Sequence, residues 1–248
     1  METAEFIEAL RRDGALLADA AEAAGLDTEV PSCPGWRVRE LVRHQGAVHR
    51  WATRYVAEGR RQPEPIEAEV PTDEAALLPW FREGHERLVA ALDAAPDDLE
   101  CWYFLKASSP RAFWARRQAH ETAIHRVDAE LALGRDPSPM DPGFAADGVD
   151  ELLAGFHIRP RSRVRSETPR TLRVRTTDTD AERDDWLARM SADPLVVERA
   201  APGAADCTVS GTAEELYLTL WNRGAYEKLQ VTGDASVIDL WRRTAAIG

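Results

Sequence analysis

Glu121 and His125 stand four residues apart in "RRQAHETAIHRVDAELALG". At about 100° per residue, a helix turns such a pair to within roughly 40° of one another, so a carboxylate and an imidazole converge on one ion. A second imidazole, His44, follows the rigid turn of "PSCPGWRVRELVRHQG" and shares a helical stripe with Leu41, Val48, Trp51 and Tyr55. Two imidazole nitrogens and one carboxylate oxygen make the three-donor set of a catalytic divalent centre with positions left open. Zinc is the first expectation, and the same donors suit Fe(II), Mn(II) or Ni(II). Each residue also has a plainer use. A Glu and His at this spacing are often a solvated helix-surface pair worth about 0.2–0.5 kcal/mol, and a lone histidine in an apolar stripe is often a hydrogen-bonded core residue.

The neighbouring residues rank lower. His120 and Glu121 open a metalloprotease-like pattern, but that motif needs histidines four apart and Ile occupies position 124. His120 and His125 diverge by about 140° on a helix. His120 falls in a stripe with Phe113, Ile124, Val127 and Leu131 and reads as a packed core histidine, while His49 projects away from His44. Asp128, three residues after His125, is placed either to orient an imidazole or to sit on the helix surface. Cys33 lies in the rigid turn with no chemical role evident, and Trp36, Trp51 and Trp114 read as core.

Four helices must carry these residues. Phe6, Leu10, Leu17 and Ala20 mark the first, ended by Gly25; the second occupies the 31–59 stretch, and a third runs from about Asp73 to Ala94 after the polar, proline-bearing "EGRRQPEPIEAEVPTDE". Ser109 as cap and Pro110 at the first position start the fourth, which runs to Leu133 before Gly134 and "RDPSPMDPG". Such a bundle builds its metal sites from side chains that face inward. Beyond residue 160 the texture changes. "TLRVRTT" and "CTVSG" read as strands, "TAEELYLTLWNRG" as a helix, and "KLQVTGD" followed by "ASVIDLWRRTA" repeats the strand-then-helix order. The expected architecture is α+β: a four-helix bundle over 1–158, closed by a short helix at "FAADGVDELLAGF", then a small α/β domain over 159–248.

Composition excludes several function classes. A formal charge of -12 argues against a surface built to grip nucleic acid or anionic lipid, which needs a concentrated basic face. No stretch approaches the eighteen or so apolar residues of a spanning helix. Three widely spaced cysteines, Cys33, Cys101 and Cys207, make neither a disulfide framework nor a Cys-x-x-Cys metal site, so a cytoplasmic protein is expected.

"VPSCPGWRVRELVRHQGAVHRW" and "AHETAIHRVDAELALG" resemble the helix-two and helix-four signatures of the mycothiol-dependent maleylpyruvate isomerase family, within the wider DinB-like metal-binding bundles. "FAADGVDELLAGF" and "CTVSGTAEELYLTLWNRGAYEKLQVTGDASVIDLWRR" resemble that family's C-terminal domain. The resemblance implies that His44, Glu121 and His125 are the metal ligands and that Arg223, in "LTLWNRG", faces the metal site. It also implies mycothiol or a similar thiol as cofactor and an electrophilic small molecule as substrate, processed by isomerisation or S-transfer. A non-catalytic metal or small-molecule binding protein and a metal-assisted hydrolase are the alternatives on the same fold.

Overall fold

The computed structural model describes residues 1–180 and 182–245. They form two compact units, Met1–Ser138 and Pro139–Gly248.

The first unit is helical. It contains α1 (Thr3–Ala24), α2 (Val38–Glu58), α3 (Leu77–Ala94) and α4 (Pro110–Ala132), with a 3-10 turn at Glu74–Ala76 ahead of α3. Two of the starts show their local cause. The Glu5 carboxylate accepts the Glu2 N–H at 2.7 Å before α1, and the Ser109 hydroxyl accepts the Ala112 N–H at 3.1 Å before α4, where Pro110 has no N–H to leave unpaired. The α2 helix ends at Gly59, whose φ of 62° and ψ of 35° lie in the left-handed region that glycine enters freely.

The α4 helix is buried around most of its circumference, packed on α1 and α2. Its polar residues are therefore inside, and each needs partners. Arg126 meets this need through Nη1, which donates to Glu130 Oε2 at 2.7 Å and to the Ser138 carbonyl at 2.8 Å. Leu17, Val38, Leu41, Leu77 and Phe81 fill a core between α1, α2 and α3. Gly14 lets α3 approach α1, since a Cβ there would lie 2.2 Å from the His85 ring, which donates from Nε2 to the Leu10 carbonyl at 3.0 Å.

The second unit is a five-stranded mixed sheet with helices. Its strands are β1 (Arg170–Thr176), β2 (Asp185–Met190), β3 (Val196–Arg199), β4 (Cys207–Gly211) and β5 (Gln230–Gly233), in the order β3-β2-β1-β4-β5. Only β1 and β4 run parallel, in the register Val174↔Val209; the other neighbours are antiparallel. The α6 helix (Ala213–Leu220) starts with a capping box between Thr212 and Glu215, and α7 (Ala235–Thr244) is capped by Asp234.

Two features differ from the sequence reading. The hairpin of β2 and β3 falls in "DWLARM" and "VVER", where no strand is expected; β2 is buried on both faces and so lacks the alternation that marks a half-exposed strand. The units also divide at 138/139, ahead of the expected 158/159 boundary, with α5 (Pro142–Asp150) packed on α6. A Cβ on Gly148 would lie 2.4 Å from the Tyr217 ring, and Trp186 Nε1 donates to Asp150 Oδ1 at 3.0 Å. A π-helical turn, Glu151–Phe156, continues α5 toward the sheet.

Candidate metal centre

His44 from α2 and Glu121 and His125 from α4 come together in the first unit, with one donor atom of each lying within 4.8 Å of the others. Glu121 Oε1 is 3.5 Å from His44 Nε2 and 3.5 Å from His125 Nε2. A tetrahedral divalent ion with bonds of about 2.0–2.1 Å sets its donors roughly 3.4 Å apart. The residues present therefore fit such an ion, and the donor set of two nitrogens and one oxygen leaves room for a further ligand. Among the described residues, this is the one group of three or more His, Cys, Asp or Glu side chains arranged to hold a metal.

His125 is nearly covered, while the side chains of His44 and Glu121 keep 34% and 24% of their exposure. His44 thus breaks the apolar stripe at its wetter edge. Leu41, Val48, Trp51 and Tyr55, its companions in the sequence pattern, are buried.

Charged and polar neighbours hold these three side chains. Arg117, one turn before Glu121, donates from Nη2 to Oε2 at 2.5 Å, leaving Oε1 as the oxygen nearest both imidazoles. Burial alone would raise the Glu121 carboxyl, but the Arg117 charge and then hydrogen bonds from His125 and His44 hold it well below the usual carboxylate range. Asp128 accepts the Nδ1–H of His125 at 2.8 Å, so Nε2 is the nitrogen turned toward Glu121. Burial opposes the His125 imidazolium, yet its hydrogen bonds to Asp128 and Glu121 push it up to about 9. A proton and a metal would compete for Nε2 there.

The other expected residues fall as follows. His49 is fully buried, its Nε2 2.9 Å from both Gln45 Nε2 and Thr122 Oγ1, and burial followed by repulsion from His85 takes its pKa well below the ordinary value. His120 is buried edge-on to Phe6. Trp51 and Trp114 lie in an aromatic core, 5.1 Å apart. Trp36 does not belong with them: it is half-buried, with its ring 5.1 Å from that of His44 and 6.2 Å from that of His125. Arg223 belongs to the second unit, just after α6, where Nη1 donates to the Trp221 carbonyl at 2.8 Å.

Sequence reasoning passed over Arg117, Ser32 and the place of Trp36. The Arg117 contact had a signal, the i, i+4 spacing to Glu121. Ser32, which donates to Asp128 from 96 positions away in the chain, had none.

Two family models match the chain: the mycothiol maleylpyruvate isomerase N-terminal domain over residues 7–130 and the MDMPI C-terminal domain over residues 143–240. No curated protein matches it. Among solved structures, a crystal structure of the mycothiol-dependent maleylpyruvate isomerase is similar with a TM-score of 0.62 at 15% identity, covering 94% of this chain and 93% of that one. A crystal structure of a point mutant of that isomerase is similar with a TM-score of 0.61 at 14% identity and the same coverages. At these identities the structural likeness speaks for the α+β fold.

Proposed function

Since the chain belongs to the mycothiol maleylpyruvate isomerase family, we propose that it is a metal- and thiol-dependent enzyme acting on an electrophilic small molecule, by isomerisation or S-transfer. The observation that carries this reading is the placement of Glu121 Oε1 at 3.5 Å from the Nε2 atoms of both His44 and His125.

In this reading His44, Glu121 and His125 hold a divalent ion, zinc by preference for this donor set. When bound, such an ion favours the deprotonated form of a coordinating thiol, the form that attacks electrophilic carbon at neutral pH. The chain's own side chains do the positioning. Arg117 neutralises Glu121 and selects the oxygen it presents; Asp128 holds the His125 proton on Nδ1 and keeps Nε2 available. The partial exposure of His44 and Glu121 leaves the site accessible to small molecules. Mycothiol is the thiol we assign, from the family, and we assign Arg223 the grip on an acidic group of substrate or thiol, for which a planar guanidinium offers two parallel hydrogen bonds.

No helix among the described residues is long and apolar enough to cross a membrane. The test of the reading combines elemental analysis with turnover. Wild type is expected to hold about one divalent ion per three-ligand site, His125→Ala to lose it, and conversion of an electrophilic substrate to require added thiol. Equal metal content in both proteins removes the metal centre. Turnover with metal and water alone assigns a hydrolase, and metal retention without turnover of any thiol and electrophile pair assigns a binding protein.

A further inference from the structure

Residues 30–36 form a turn that closes on itself. The Val30 N–H donates to the Trp36 carbonyl at 2.9 Å, the Cys33 N–H to Val30 at 3.0 Å and the Trp36 N–H to Cys33 at 2.9 Å, with Gly35 at a φ of 86°. Three side chains of this one turn reach the candidate centre or its support. The Ser32 hydroxyl donates to Asp128 Oδ1 at 2.5 Å, and the Cys33 thiol to Asp128 Oδ2 at 3.4 Å. The Trp36 ring lies within 20° of parallel to the His125 ring and is tilted 54° to the His44 ring.

We propose that the Pro31–Trp36 turn is the positioning element of the metal centre: Ser32 and Cys33 brace Asp128, which fixes the face that His125 presents, and Trp36 sets the planes of both imidazoles. The inference rests on reading His44, Glu121 and His125 as ligands.

The physical case has two parts. Asp128 is fully buried, and a carboxylate taken out of water needs hydrogen-bond donors at its oxygens. Ser32, Cys33 and His125 occupy both of its oxygens, so the carboxylate cannot swing away from Nδ1 without breaking bonds to the turn. Meanwhile a histidine ligand must aim a lone pair lying in its ring plane at the ion, and the planes of His44 and His125 cross at 74° with centroids 5.0 Å apart. A broad indole packed against both rings holds that crossing in a way that a small side chain does not.

Trp36 and Cys33 also touch the apolar core, so loss of stability alone must be separated from loss of positioning. The experiment is Co(II) titration of the metal-free protein, followed by visible absorption for affinity and coordination geometry, alongside thermal unfolding of the same samples. Trp36→Leu, Asp128→Asn and the double variant Ser32→Ala with Cys33→Ala are expected to bind Co(II) about 10- to 100-fold more weakly, with altered d–d bands. Trp36→Phe, which keeps a ring against the imidazoles, is expected to stay near wild type. Gly14→Ala, which strains the bundle at the contact between α1 and α3, serves as the stability control and should leave Co(II) affinity unchanged.

Wild-type affinity and spectrum in folded Ser32→Ala/Cys33→Ala and Trp36→Leu proteins overturn the proposal, as does an equal loss in Gly14→Ala. Where Trp36→Leu does not fold, Trp36→Met and Asp128→Asn decide: a folded Trp36→Met protein with wild-type affinity and spectrum rejects the part given to the ring, and an Asp128→Asn protein with wild-type affinity and spectrum rejects the brace. Absence of Co(II) uptake by wild type instead overturns the metal-centre reading itself.

Discussion

Arg117 and Glu121, one turn apart on α4, form an ion pair of 2.5 Å in which the almost fully buried guanidinium engages Oε2 and leaves Oε1 to the two imidazoles. One carboxylate thus serves a structural cation with one oxygen and the candidate metal centre with the other. Glu121→Gln should affect both. Metal content falls because a neutral amide is a poor ligand, and the metal-free protein loses about 1–3 kcal/mol because Arg117 gives up its charged partner inside the bundle. Elemental analysis and thermal unfolding read the two effects separately; an unchanged melting temperature would show that the pair contributes nothing to the fold.

Arg223→Lys is expected to leave metal content unchanged and to lower kcat/KM on an acidic substrate about 10- to 100-fold, the loss of one charge-assisted hydrogen bond in a two-pronged grip. Steady-state kinetics on wild type and variant check it. Unaltered kinetics on an identified acidic substrate would return Arg223 to its local bond with the Trp221 carbonyl.

His157 provides a pH prediction for the second unit. Burial takes its pKa down to about 4, with its ring edge-on to Trp241 at 4.8 Å and Nδ1 3.1 Å from the Ser162 hydroxyl. Because the folded-state value lies below that of the unfolded chain, about 6.5, the unfolded state takes up the proton first as pH falls. The stabilisation is therefore complete above pH about 6.5 and drains away toward pH 4, by about 3 kcal/mol at the most. Denaturant midpoints across that range should fall less steeply in His157→Phe; parallel curves would refute the assignment.

Gly14→Ala tests the approach of α1 and α3 by the sign of its effect. In an ordinary helix interior the change stabilises by about 0.5–1 kcal/mol. Here the added Cβ meets the His85 ring at 2.2 Å, so the ring must leave its bond to the Leu10 carbonyl, and a loss of about 1–3 kcal/mol is expected. A raised melting temperature would show that His85 moves aside freely.

Local rules made several elements legible. A Ser109 cap followed by Pro110 marks the start of α4 because both act within one turn, and the pairing of Glu121 with His125 follows from helical geometry once that start is known. The strands β1, β4 and β5 and the helices α6 and α7 carry their own caps and β-branched runs. By contrast, β2 is shielded on both faces by parts of the chain far away in sequence, which erases its alternation, and α5 joins the second unit because Gly148 admits Tyr217.

That a carboxylate and an imidazole share one face of α4 and that a second imidazole stands on α2 was legible before any fold was known, because backbone periodicity alone sets those directions. Helix packing places Oε1 of Glu121 3.5 Å from both Nε2 atoms, brings Ser32 and Cys33 to Asp128, and sets Trp36 between the core and the rings of His44 and His125. Those contacts join segments as far apart as 96 positions in the chain. Their distances come from how helices pack and which side chains fill the space between them, and no repeat along the chain encodes that.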